Sequence, residues 1–133
     1  MTAQFADTSY FLALLIPNDE NHVKAVTLAN QLRAPLVTTD WVIVEVGNHL
    51  SPQKSRGIFS RFLQLLQADP RMHVVECSRE LLQKGLRLFQ TRPDKGWSVT
   101  DCISFVVMQE RGVSESLTAD HHFEQAGFQI LLR

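Results

Sequence analysis

The stretch AQFADTS at residues 3–9 decides how the rest of the sequence is interpreted. Its first four residues form a short run that is typical of a strand, and this run ends at Asp7. Thr8 and Ser9 come next, and both residue types favour helix starts because a hydroxyl group accepts a hydrogen bond from a free backbone N–H group. The stretch therefore predicts a strand, a carboxylate at its end, and a helix directly afterwards.

The same alternation of strand and helix continues along the chain. Amphipathic helical segments separate further β-type runs at residues 36–38, 72–77, 116–119 and 128–132. This order is typical of an α/β fold with a mainly parallel sheet. No Pro-rich or Gly/Ser-rich linker divides the sequence, so we expect a single domain over residues 1–133.

Residues 40–50 are ambiguous from their residue types alone. The segment is rich in β-branched side chains, which favours a strand. However, Thr39 or Asp40 would cap a helix, and the turn signal that a hairpin needs is absent. We therefore interpret the segment as a buried helix. Gly47 weakens such a helix by about 1 kcal/mol relative to alanine, and its small size permits close packing.

Composition excludes several classes of protein. Hydrophobic residues make up 44% of the chain and charged residues 20%, as in globular proteins. The longest apolar run, Tyr10–Ile16, is far shorter than the roughly 20 residues of a membrane span. The first residues lack the basic segment of a signal peptide, so we expect a cytoplasmic location. The spacing of Cys77 and Cys102 fits neither a zinc nor a redox motif.

Charge is unevenly distributed although the net charge is only −1. Residues 54–95 carry nine Lys and Arg against four acids, whereas both flanking segments are acidic. The small net charge argues against a general nucleic-acid binder. The basic middle is either a solvated face or a phosphate-facing patch beside an acidic site.

Four acids stand at element ends or in apolar surroundings. Asp7 and Asp120 each follow a predicted strand, and ligands of parallel sheets bind beyond the carboxyl ends of the strands. Asp101 lies in the first turn of a helix that Ser98 begins. Each aspartate also has a structural interpretation, as a turn residue, a helix cap or part of a capping box. Glu45 is flanked by valines, so it needs a partner or a polar cleft.

Together the four acids indicate a metal site. Carboxylates forced together repel one another unless a cation compensates their charge. Mg²⁺ prefers oxygen ligands, and Mn²⁺ suits the same set. Hydroxyl groups close to the acids in the sequence are expected to hold the carboxylates or a bound water in position; these are Thr8, Ser9, Thr100 and Thr118.

Four motifs carry a resemblance to a known family. They are FADTS at 5–9, VIVEV at 42–46, VTDC at 99–102 and LTAD at 117–120, the last followed by Phe123. With these motifs in this order, the sequence resembles a PIN domain, and more narrowly the VapC-type toxin ribonucleases of bacterial toxin–antitoxin pairs. The resemblance covers nearly the whole chain.

The resemblance implies a fold and a set of roles. The fold is a three-layer α/β/α arrangement with a central, mainly parallel sheet and the acids at one end. Asp7 and Asp101 resemble the principal Mg²⁺ ligands, and Asp120 resembles the fourth acid, which assists them. Glu45 resembles the family's helix-borne glutamate, which orients or deprotonates the attacking water. Asp40 is an extra acid where an uncharged cap is expected.

The resemblance also implies partners: an RNA substrate, a cognate antitoxin that docks over the acidic pocket, and a second copy of the chain in a homodimer. Two alternatives remain open. One is a non-catalytic PIN-like module that binds RNA or protein. The other is a receiver-type phosphoacceptor domain, which is disfavoured because no lysine follows Lys95.

The pair His121-His122 resembles a pair of metal ligands. Adjacent helical side chains point about 100° apart, so we do not expect these two to bind one ion. We interpret the pair as a polar turn. Because His121 is adjacent to Asp120, its ring is expected to be within reach of a phosphate bound at the acids.

Overall fold

A parallel sheet forms the centre of the molecule. The computed structural model describes residues 2–133, and its strands are β1 (Gln4–Ala6), β2 (Leu36–Thr39), β3 (Met72–Val75), β4 (Glu115–Leu117) and β5 (Gln129–Ile130). Their order across the sheet is β3-β2-β1-β4-β5, and every neighbouring pair is parallel. The strand order reverses between β1 and β4, which is where open α/β sheets bind ligands.

Helices cover the sheet in a three-layer α/β/α arrangement, as predicted. In chain order they are α1 (Thr8–Leu15), α2 (His22–Gln31), α3 (Asp40–His49), α4 (Gln53–Ala68), α5 (Arg79–Thr91), α6 (Val99–Arg111) and α7 (His121–Gln125). The core lies between the layers, and Phe5, Leu117 and Phe123 within it are fully buried. Within the described residues, no helix has the length and apolar character needed to cross a membrane.

The ambiguous segment is the helix α3. The Thr39 hydroxyl group accepts a hydrogen bond from the Val42 N–H group at 3.1 Å and so caps the helix. Val42 and Val46, one turn apart, are fully buried. A cap and an apolar stripe at helical spacing therefore outweigh the strand propensity of the individual residues. Gly47 does permit close packing, because a Cβ atom there would stand 2.8 Å from Cζ of Phe59 in α4.

Helix α6 is defined at both ends and lies close to α5. Ser98 and Asp101 form a reciprocal capping box at its start, and Gly112 ends it with φ of 65°. Gly85 of α5 packs directly against Ile103 of α6, so closely that an added Cβ atom would overlap the Ile103 side chain. This close contact fixes the position of the helix that carries Asp101.

The strands β3, β4 and β5 end at earlier residues than the sequence predicts. The third was expected to reach Cys77 but ends at Val75, because the Cys77 N–H group donates to the Asp40 carboxylate at 2.8 Å instead of to a strand. The fourth was expected to reach Ala119 but ends at Leu117. Of the expected strand 128–132, only Gln129 and Ile130 pair in register with β4.

Candidate metal centre

The centre begins where β1 and β4 end side by side. Ala6 pairs with Leu117, and the Asp7 N–H group donates to the Leu117 carbonyl oxygen at 3.2 Å. Because the strands are parallel, the residues that follow them, Asp7 on one and Thr118 on the other, leave the sheet at the same edge.

The Thr118 hydroxyl group links two of the predicted acids. It donates to Oδ2 of Asp7 at 2.9 Å and accepts from the Asp120 N–H group at 3.0 Å. The Ser9 hydroxyl group lies 3.3 Å from the same Asp7 oxygen and 2.9 Å from the Thr118 hydroxyl group. The Asp7 side chain is thus held in one orientation by two hydroxyl groups.

Asp101 reaches the centre from the first turn of α6. Its Oδ2 accepts from the Ser98 N–H group at 3.1 Å, which completes the capping box. The same oxygen lies 3.0 Å from Nδ1 of His122. Asp101 therefore caps its helix, as the predicted capping box with Ser98 requires, and also faces the segment that follows β4.

Asp120 is the cap of α7, and Oδ1 of its side chain accepts from the His122 N–H group at 2.9 Å. The carboxylate remains partly exposed to solvent. Glu45 lies on α3 and is also partly buried. Solvent thus reaches the acids contributed by α3 and by the segment after β4.

The electrostatics of the four acids are coupled. The pKa of Asp7 is raised to about 7, chiefly by burial and also by the charges of Asp101 and Glu45, although the hydrogen bonds that Asp7 accepts lower it in part. Burial also raises the pKa of Asp101, and the charge of Asp120 adds to that effect. These effects link the charge of Asp7 with those of Asp101 and Glu45, and the charge of Asp101 with that of Asp120, although the four acids lie far apart in the sequence.

Not every predicted supporting residue has the expected contact. The Thr8 hydroxyl group is buried and has no hydrogen-bond partner among the described residues, although the Thr8 backbone helps to lower the pKa of Asp7. Thr100 makes no side-chain hydrogen bond to an acid within residues 2–133. Asp40 is bound to the Cys77 N–H group, so the structure ties the extra acid to the end of β3.

His122 is the residue that the sequence interpretation missed. Its Nδ1 lies 3.0 Å from Oδ2 of Asp101 and 3.4 Å from Oδ1 of Asp120, between the two acids. The sequence signals were its place two positions after Asp120 and the pair that it forms with His121, and neither shows that its ring faces Asp101.

The donor groups fit a divalent cation. Carboxylate oxygens predominate, their combined charge is destabilising without a cation, and two hydroxyl groups already hold Asp7 in place. Hard cations such as Mg²⁺ and Mn²⁺ take oxygen donors of this kind. When bound, such an ion activates water and stabilises negative charge on a phosphoryl group.

Comparisons with known proteins agree with this fold. The family model for the PIN domain matches residues 5–129. The crystal structure of VapC20 from Mycobacterium tuberculosis, a toxin that cleaves the sarcin-ricin loop, has 21% sequence identity and a TM-score of 0.86, with 96% of each chain covered. VapBC2 from Rickettsia felis, crystallised with a DNA fragment from its promoter, has 11% sequence identity and a TM-score of 0.67, with 97% of each chain covered. No curated protein sequence matches significantly.

Proposed function

Because the chain belongs to the PIN domain family, we propose that it is a divalent-metal-dependent endoribonuclease and the toxin of a toxin–antitoxin pair. One observation carries the proposal. Asp7 is a buried carboxylate whose pKa is raised by burial and by the neighbouring Asp101 and Glu45. Buried carboxylates with raised pKa values are concentrated at functional sites, where a bound cation or the reaction itself uses their charge.

In this proposal Asp7 and Asp101 hold Mg²⁺ and Asp120 assists them, with Mn²⁺ as a substitute. The ion supplies charge stabilisation at the scissile phosphate when it is bound. Thr118 and Ser9 keep the Asp7 carboxylate oriented through the contacts described above. The receiver-type alternative loses its support, because the family match extends over almost the whole chain.

Glu45 acts as the general base in the proposed reaction. It accepts a proton from the attacking water, whose oxygen then bonds to phosphorus. The bond between phosphorus and the 3′ oxygen breaks, and that oxygen takes up a proton. The products are a 5′ phosphate and a 3′ hydroxyl group.

The RNA strand is expected to contact the basic middle of the chain. Several of its cations are already paired, including Lys84 with Glu110 and Arg71 with Asp69. Lys95 is only loosely paired, with its Nζ 4.0 Å from Oδ2 of Asp94, and it precedes Gly96, where an added Cβ atom would lie 3.8 Å from Nε2 of His122. We therefore assign Lys95 a phosphate contact beside the acids.

The proposal includes a cognate antitoxin and a homodimer, and places the protein as a single domain in the cytoplasm, where its RNA is found. Support for protein partners comes from exposed apolar side chains on neighbouring helices: Val44 of α3 is 59% exposed and Leu65 of α4 is 54% exposed. Light scattering with and without the antitoxin tests the dimer. A monomer at high concentration would count against it.

The test of the nuclease is RNA cleavage by protein purified free of any antitoxin. We expect Glu45→Gln to lower the rate by about 10²–10⁴-fold, the usual contribution of a general base. Asp7→Asn and Asp101→Asn should each abolish metal-dependent cleavage. Asp40→Asn is the matched control, because the Asp40 carboxylate is bound to the Cys77 N–H group and has no proposed role at the metal. Undiminished cleavage by Asp7→Asn or Asp101→Asn would reject the assignment.

A further inference from the structure

Two imidazole rings stand beside the acids, and the proposed reaction uses neither. Besides the His122 contacts described above, Nδ1 of His121 lies 3.8 Å from Oδ1 of Asp120. The two ring centroids are 4.6 Å apart. One donor atom from each of Asp120, His121 and His122 lies within 4.8 Å of the other two. The expectation that these adjacent rings diverge is therefore wrong, since both turn toward Asp120.

We propose that Asp120, His121 and His122 form a nitrogen–oxygen site for a first-row transition-metal ion of the Zn²⁺ type. Around a tetrahedral ion with bonds of about 2.0–2.1 Å, neighbouring donors lie about 3.3 Å apart. The imidazole nitrogens of His122 and His121 lie 3.4 and 3.8 Å from the Asp120 oxygen, and all three donors lie within 4.8 Å of one another, so ring rotations must bring the donors closer together when an ion binds. Oδ2 of Asp101, 3.0 Å from Nδ1 of His122, is within reach as a fourth donor.

The donor types select the metal. Mg²⁺ prefers oxygen ligands, whereas imidazole nitrogen suits Zn²⁺, Co²⁺, Ni²⁺ and Cu²⁺. Two nitrogens among the donors therefore favour these ions over Mg²⁺ at this position. The position is also accessible, because the side chains of His121, Asp120 and His122 are 60%, 30% and 24% exposed. An ion reaches them without opening the core.

The site shares Asp120, and through His122 also Asp101, with the centre proposed for Mg²⁺. A bound Zn²⁺ ion would occupy carboxylates that the Mg²⁺-dependent reaction needs and would inhibit cleavage. Only the inhibition of cleavage depends on the proposed function. Metal binding by the two histidines is inferred from the geometry alone.

The experiment titrates the full chain, freed of metal by a chelator, with Co²⁺, whose visible absorption reports four-coordinate nitrogen and oxygen ligation. Zn²⁺ is then added to displace it. We expect a Co²⁺ band that Zn²⁺ removes, and an affinity lowered by more than about 100-fold in His121→Ala and in His122→Ala, above the roughly 10–100-fold that an outer-shell partner contributes. The control is His73→Ala, because His73 is an exposed histidine on β3.

Equal Co²⁺ affinity in the wild type and in both histidine variants would overturn the proposal. His121 is exposed, so its replacement does not threaten folding; circular dichroism checks the His122 variant. Asp7→Asn separates this inference from the nuclease, since it should abolish cleavage and retain Co²⁺ binding. If the wild type binds Co²⁺ through the histidines but never cleaves RNA, the nuclease proposal fails and the metal site stands.

Discussion

A carboxylate buried as deeply as Asp7 destabilises the folded protein when it is charged and no cation compensates it. Its ordinary pKa is 3.8, and the folded environment raises this to about 7. Between these values the unfolded chain has released the proton while the folded chain retains it. Each unit of rising pH in this range therefore lowers the free energy of unfolding by about 1.4 kcal/mol.

We predict that Asp7→Asn stabilises the metal-free protein in a pH-dependent way. The variant should gain roughly 2–4 kcal/mol over the wild type between pH 4 and pH 8, because asparagine stays uncharged and still accepts the Thr118 hydrogen bond. Urea unfolding in the presence of a chelator at several pH values measures the difference. A gain that does not grow between pH 4 and pH 8 would contradict the raised pKa.

Single residues differ in how far the sequence reveals them. The capping roles of Asp101 and Asp120 were predictable, because caps depend on neighbours in the chain. The contacts of Asp40 and His122 were not, since their partners lie 37 and 21 positions away. The chain gives no local signal for such pairs.

Among the elements, α5 and α6 are held closer together than ordinary side chains allow. A Cβ atom on Gly85 would stand 3.3 Å from backbone atoms of Ile103 and closer still to its side chain, and Ile103 is fully buried. The position of α6, and with it that of Asp101, depends on the absence of a Cβ atom at Gly85.

We predict opposite effects for two Gly→Ala substitutions in helices. Gly85→Ala should lower the free energy of unfolding by about 1–3 kcal/mol, the usual effect of overpacking a core. Gly57→Ala in α4 should raise it by up to about 1 kcal/mol, because alanine is the better helix former and no atom lies within 4 Å of the added carbon. Chemical denaturation measures both, and a stabilising Gly85→Ala would show that α5 and α6 can separate without cost.

Helices were predicted more accurately than strand ends. The periodic apolar stripes and caps of α3 and α6 are local, so the sequence contains them. The ends of β3 and β4 depend on where backbone hydrogen bonds leave the sheet for Asp40 and for the acidic centre. Those ends are consequences of tertiary structure, which residue types do not encode.

At the scale of the molecule, the parallel sheet was predictable but its strand order was not. Alternating strands and helices indicate parallel pairing. Nothing in the composition of β4 says that it inserts beside β1 rather than at the edge. The resemblance to the PIN family supplied the expectation that the acids converge, and the order β3-β2-β1-β4-β5 explains how Asp7 and Asp120 meet.

We predict that Mg²⁺ or Mn²⁺ protects the whole molecule against thermal unfolding. At a concentration 100 times the dissociation constant, an ion that binds only the folded state adds about 2.7 kcal/mol of stability. The gain should vanish in the Asp7→Asn/Asp101→Asn double variant, as measured by a thermal melt with and without metal. An unchanged melt of the wild type would favour the non-catalytic PIN-like module.

The place of β4 beside β1 has a consequence for the newly made protein. During synthesis Asp7 and Glu45 leave the ribosome before Asp120, which can take its position only after β4 inserts next to β1. A partly translated chain therefore lacks the complete set of acids. The proposed cleavage activity therefore arises only after Asp120 has been translated and β4 has joined the sheet.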